Sequence, residues 1–218
     1  MRTFLTLLLA VSLLALPTAQ APDEKAFVDR AKNATALLYS QDTQGGLSMR
    51  CTMTVFQKFN KGYRLLTAAH CVGADDTGHE KSAKADNQSF FITFDSANVK
   101  TFHSAKAVLI GYQHRGEDFA IFEVETDQVW NMIPFGDEGK EEDGSLITVI
   151  AGSLGIGKQV LRGQISKLVL DRPLSEGDIN WAGTMLLQLS GVNGGASGSG
   201  IIADAQRRIV GVLVGTIG

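Results

Sequence analysis

The chain has 218 residues, of which 44% are hydrophobic and 20% charged, and its net charge is −3. This is an ordinary globular composition, enough for one or two packed cores. The mildly acidic balance excludes a basic, nucleic-acid-binding class, and two cysteines cannot close a zinc site, which usually takes four ligands.

The first 21 residues, MRTFLTLLLAVSLLALPTAQA, set one positive residue, Arg2, before an apolar run from Phe4 to Leu16. They close on Ala19-Gln20-Ala21, the small-x-small pattern at which signal peptides are cut. The run is too short to span a bilayer comfortably. A signal peptide over 1–21 is expected, with a mature chain from Pro22, a secreted or periplasmic location and no membrane span after cleavage. In an oxidising compartment Cys51 and Cys71 are expected to pair.

After the cleavage site, PDEKAFVDRAKNA (22–34) reads as a short helix, with acids in its first turn and Ala26, Val28 and Ala31 towards one face. Strand-like runs follow: 35–41, then 51–57 and 63–69 as a hairpin about Lys61-Gly62, then 89–94, 105–112 and 118–124. GDEGKEEDG (136–144) is charged and glycine-rich, a surface loop near a boundary between halves. Beyond it come runs at 146–152, 160–170, 185–191, 198–204 and 208–215. Short strands separated by turn residues throughout predict an all-β protein of two barrels or sandwiches. The halves are placed at about 33–125 and 129–218.

The stretch NGGASGSGII (193–202) packs four glycines and two serines ahead of an apolar strand. A linker is excluded because strand-like sequence lies on both sides. A phosphate cradle usually opens a helix and often carries a lysine, and neither follows here. What remains is a tight turn presenting Ser197, whose glycines allow unusual φ values and let the N–H groups of Gly195 and Ser197 converge. Ser199 is the rival serine in the same loop.

A serine hydroxyl needs a base, and the base needs a carboxylate to orient it. Of His70, His79, His103 and His114, His70 stands out, directly after an apolar strand in LLTAAHCVG and beside Cys71. His79 sits in a polar stretch, and His103 and His114 near strand ends. Asp118 heads the apolar run DFAIFEV, and a charge at the mouth of a buried strand usually has a partner.

TAAHC, EDFAIFEV and GASGSG, in that order, resemble the trypsin-like (chymotrypsin-fold) serine peptidases, nearest to their bacterial branch. AGSLGIGKQVLRGQIS (151–166) and LLQLSG before the serine loop are similar to second-barrel segments of that family. The resemblance runs from about residue 35 to the end. It implies two six-stranded antiparallel β-barrels with the site in the cleft between them. It makes His70 the general base, Asp118 its orienter, Ser197 the nucleophile, and Gly195 and Ser197 the oxyanion donors. Cys51 and Cys71 match the family disulfide that brackets the base. The substrate pocket falls to Gly191, Val192, Val214 and Thr216. That set has no charge, so cleavage after small or medium uncharged residues is expected. No metal or organic cofactor is implied, and the partner is a protein or peptide substrate.

The chain also departs from the pattern. Ala196 stands where animal relatives carry an aspartate that pairs with a new N-terminus, and the Ile-Val-Gly-Gly start is absent. The expected function is a secreted serine endopeptidase acting through an acyl-enzyme. The alternative is a catalytically inactive protein of the same fold that only binds. An α/β-hydrolase esterase would need the order Ser, Asp, His.

Overall fold

A computed structural model describes residues 22–72, 89–95, 101–111, 118–153, 157–170, 175–176, 179–180 and 184–215. The expected signal peptide, His79, His114 and Thr216 lie outside the described residues.

One helix, α1 (Pro22–Asn33), precedes the sheets. The strands of the first half are β1 (Thr35–Gln41), β2 (Leu47–Phe59), β3 (Gly62–Thr67), β4 (Ser89–Thr93), β5 (His103–Ile110) and β6 (Ala120–Glu125). They close into an antiparallel barrel in the order β1-β2-β3-β6-β5-β4. The interior is filled by alternate residues, among them Leu38 of β1, Met53 and Val55 of β2, Leu65 of β3, and Phe122 and Val124 of β6. Such period-two alternation is what a barrel requires.

The second half contains β7 (Leu146–Ser153), β8 (Gly157–Lys167), β9 (Ser175–Glu176), β10 (Ile179–Asn180), β11 (Leu186–Leu189), β12 (Gly200–Ala203) and β13 (Arg208–Val212). Five of these form one sheet in the order β11-β8-β7-β12-β13, and β9 pairs with β10 alone. So the first of the two expected six-stranded barrels is closed, while the second half is a five-stranded sheet that does not close among the described residues. The core on this sheet includes Val149, Leu161, Ile165 and Ile201.

A third apolar cluster joins the parts. It takes Phe27, Val28 and Ala31 from α1, Phe56 and Leu66 from the barrel, and Ile150, Ile202 and Ile209 from the second sheet. The helix therefore lies where the two halves meet. Its inner face is Phe27, Val28 and Ala31, one helical turn; Ala26, expected on that face, is exposed. Strand β2 makes the same junction from the barrel side. Cys51, Met53 and Val55 point into the barrel, and Thr52, Thr54 and Phe56 alternate with them toward the second sheet, so all six are buried.

Candidate active site

Strand β3 ends at Thr67 and runs into Ala68 and Ala69, both fully buried. These small side chains let the chain turn tightly, and Ala69–Val72 make one short helical turn. Cys71 in that turn is joined to Cys51 of β2, with Cα atoms 5.9 Å apart, the disulfide expected from the sequence. The register of β3 with β6 sets Thr67 opposite Ala120. The residues just before β6 then fall beside those just after β3.

Asp118 and His70 meet there. Oδ1 of Asp118 accepts the backbone N–H of His70 at 3.0 Å, and Oδ2 lies 2.7 Å from Nδ1 of the ring. Both carboxylate oxygens are committed to one residue. The Asp118 side chain is 7% exposed and that of His70 27%. A carboxylate only accepts, so the proton of this contact sits on Nδ1, and in the neutral ring the lone pair is then on Nε2. Geometry thus gives the ring one tautomer and one orientation.

The serine loop comes to the same place from the second half. Gly195 and Gly198 adopt φ of +89° and +83°, a region that favours glycine. A side chain on Gly198 would collide with Thr67 Oγ1, the Thr52 carbonyl and the Ala68 amide. The residue after Ser197 therefore lies against the segment that leads into His70. The Ser197 carbonyl accepts the Thr52 N–H at 2.9 Å, and the Gly195 carbonyl accepts the Thr52 hydroxyl at 2.7 Å.

The loop's own amides divide into two sets. Ala196 N–H donates to Asn193 O at 3.0 Å, Gly198 N–H to Leu213 O at 2.7 Å, and Ser199 N–H to Ala196 O at 3.2 Å. The N–H groups of Gly195 and Ser197 meet no acceptor among the described residues. Backbone donors normally find partners, so these two amides of one turn stand out beside a partly exposed serine. The two serines also differ. Ser197 is partly exposed. Ser199 is fully buried and its hydroxyl donates to Ala196 O at 2.7 Å.

The remaining expected residues are placed as follows. Gly191 is exposed with φ +80°. Val192 packs on the core of the second sheet, whereas Val214 packs against the core of the first barrel. His103 meets the Trp130 ring edge-on with centroids 5.0 Å apart, and burial holds its pKa below the ordinary value. The sulfurs of Cys51 and Cys71 lie within 4.8 Å of a His70 ring nitrogen, but the disulfide leaves neither as a thiolate for a metal.

Thr52 is the participant that sequence reasoning missed. The available signal was CTMTV itself, two threonines alternating with apolar residues in a strand, which suggests a second buried face with polar partners.

The sequence profile of the trypsin-like peptidase domain matches residues 54–212. Among solved structures, the chain is similar to the crystal structure of Deg5, with a TM-score of 0.65 and 14% identity, over 88% of this chain and 84% of that one. At that identity the likeness speaks for the fold. No curated protein sequence matches.

Proposed function

The chain belongs to the trypsin-like peptidase family, and from that premise we propose that it is an exported serine endopeptidase using Ser197 as nucleophile, His70 as general base and Asp118 as its orienter. One observation carries this most directly. Asp118 grips both the backbone and the Nδ1 of His70, while the Ser197 loop, with two unspent N–H groups, rests on the segment ending at His70.

In this mechanism Ser197 Oγ attacks the carbonyl carbon of the substrate as its proton passes to His70 Nε2. The oxygen gains charge and is met by the N–H groups of Gly195 and Ser197. The tetrahedral species collapses, the C–N bond breaks, and the amine leaves with the proton from His70. Water then attacks the acyl ester by the same route, and Ser197 regains its proton. Asp118 keeps the ring in place and balances its transient charge.

The rest of the reading follows from the same frame. The five-stranded sheet of the second half stands for the second barrel, with halves at about 33–125 and 129–218 and the site in the cleft between them. Gly191, Val192, Val214 and Thr216 carry the uncharged pocket, for small or medium uncharged residues. The Cys51–Cys71 bond supports export after removal of residues 1–21. No described helix is long and apolar enough to cross a membrane.

The test is covalent labelling of the oxidised, signal-free protein with a fluorophosphonate probe, followed by peptide mapping. A single adduct on Ser197, absent from His70→Ala, is the expected result. No adduct on a folded protein would instead favour an inactive binding protein of this fold.

A further inference from the structure

Thr52 is fully buried, beside the disulfide at Cys51, on the face of β2 turned to the second sheet. All of its polar atoms are engaged. Its carbonyl accepts the Thr67 hydroxyl at 2.8 Å, and its N–H donates to Ser197 O at 2.9 Å. Its hydroxyl accepts the Gly152 N–H of β7 at 2.7 Å and lies 2.7 Å from Gly195 O.

The direction of that last bond is fixed by elimination. Gly152 N–H can only donate, so it occupies a lone pair of the hydroxyl. Gly195 O can only accept, so the one hydroxyl proton goes there. A strand of the second sheet thus orients a hydroxyl of the first barrel, which in turn grips the loop.

That grip falls on a sensitive peptide. The Gly195–Ala196 unit is held at both ends, its C=O by Thr52 and its N–H by Asn193 O at 3.0 Å. Gly195 itself sits at φ +89°, where a glycine has little intrinsic preference against turning over. The Gly195 N–H belongs to the preceding peptide unit and joins this one at the Gly195 Cα, so a shift of an unheld Gly195 would carry that N–H away from Ser197. The bond to Thr52 anchors that Cα from its carbonyl side and so steadies the position of the Gly195 N–H.

Resting on the serine-peptidase reading above, we propose that Thr52 is a positioning residue: its hydroxyl, set by the Gly152 amide, holds Gly195 so that its N–H faces the developing oxyanion. Thr52 touches neither substrate nor the reacting atoms. It acts on the transition state through Gly195, so its loss should appear in the chemical step and not in binding.

The experiment uses the oxidised, signal-free chain and a fluorophosphonate probe, whose phosphonyl oxygen occupies the same site. The maximal labelling rate and the probe concentration at half-maximal rate are measured for wild type, Thr52→Val, Thr52→Ala and Thr52→Ser. Val keeps the shape and removes the hydroxyl, Ala lessens any misfit, and Ser restores the hydroxyl. Removing an oxyanion donor outright costs about 100- to 1,000-fold, and misaiming one should cost less. We expect the maximal rate to fall about 10- to 100-fold in Val and Ala, with the half-maximal concentration within about threefold and Ser close to wild type. Circular dichroism melting shows that each protein is folded at the assay temperature, and Ala serves if Val is not. A wild-type rate in folded Val or Ala overturns the proposal, as does an equal loss in Ser. If wild type itself is never labelled, the peptidase reading fails instead.

Discussion

Ser197 and Ser199 stand two positions apart with opposite surroundings. Ser199 spends its hydroxyl on Ala196 O inside the protein, and Ser197 lies partly open beside two unspent amides. Ser197→Ala should therefore abolish hydrolysis of a casein substrate with an unchanged melting curve. Ser199→Ala should keep most of the activity and lose about 1 kcal/mol of stability, the usual worth of one buried hydrogen bond. Activity surviving in the first variant and vanishing in the second would reverse the assignment. Asp118→Asn is the companion test. An amide can keep one of the two contacts with residue 70 but can present its NH2 to Nδ1, which selects the wrong tautomer. The expected loss in turnover is on the order of 10,000-fold, read from progress curves at fixed enzyme. The pairing of His70 with Asp118 was reachable through the resemblance of TAAHC and EDFAIFEV to the peptidase motifs, whereas the pairing of β3 with β6 that brings their ends together was not visible in the sequence. The partners of Thr52 were not legible: the alternation in CTMTV marks a polar face, but a threonine in a strand does not say what lies across it.

At the scale of elements, α1 shows how much a sequence pattern can hide. Its existence and bounds follow from Pro22, the early acids and the later basic residues. Its buried face follows only in part: Val28 and Ala31 are buried as the pattern sets them, but the surrounding sheets select Phe27 over Ala26. Two interactions hold its start. Asp23 makes a paired contact with Arg207 at 2.8 and 2.5 Å, and Glu24 meets Arg162. The apolar contact should dominate. Phe27 is 3% exposed in a cluster shared with both sheets, and Phe27→Ala should cost about 3–5 kcal/mol in urea unfolding. Asp23→Asn should shift the midpoint far less, because exposed ion pairs contribute little. Equal losses would show that the helix is held by its charges. In β2 the threonines alternating with Cys51, Met53 and Val55 mark a second, polar face, and what they do not name is the sheet that covers it. The five strands of the second sheet all overlap runs expected from the sequence, and what the sequence did not mark is the two-residue pair β9 and β10 that stands apart from that sheet.

For the whole molecule, the notable contact is Lys158, because three parts converge on it. It lies on β8, its Nζ donates to Lys32 O at the end of α1 at 2.8 Å, and it sits 5.5 Å from the centre of the Phe94 ring, just past β4. Helix, barrel and second sheet are thereby tied by one side chain. Holding a cation there has a cost. Burial lowers the Lys158 pKa from 10.5 to about 8, and the negative charge of Asp95 offsets only part of this. The consequence for stability has a definite sign. Between about pH 8 and 10.5 the unfolded chain keeps a proton that the folded protein has released. Stability contributed by this group therefore rises with pH across that window, by at most about 1.4 kcal/mol per pH unit. Below pH 8 both states are charged and the group adds no slope. The neutral amine can still donate to Lys32 O, so the tie persists as the charge is lost. Other groups titrate in the same range, and a difference measurement removes them. Urea unfolding of wild type and Lys158→Met, compared at intervals from pH 6.5 to 10, should give a flat difference up to about pH 7.5. Above that the difference should move steadily in favour of wild type. A difference that stays flat through pH 10, or moves the other way, would mean that Lys158 is not desolvated where the three parts meet.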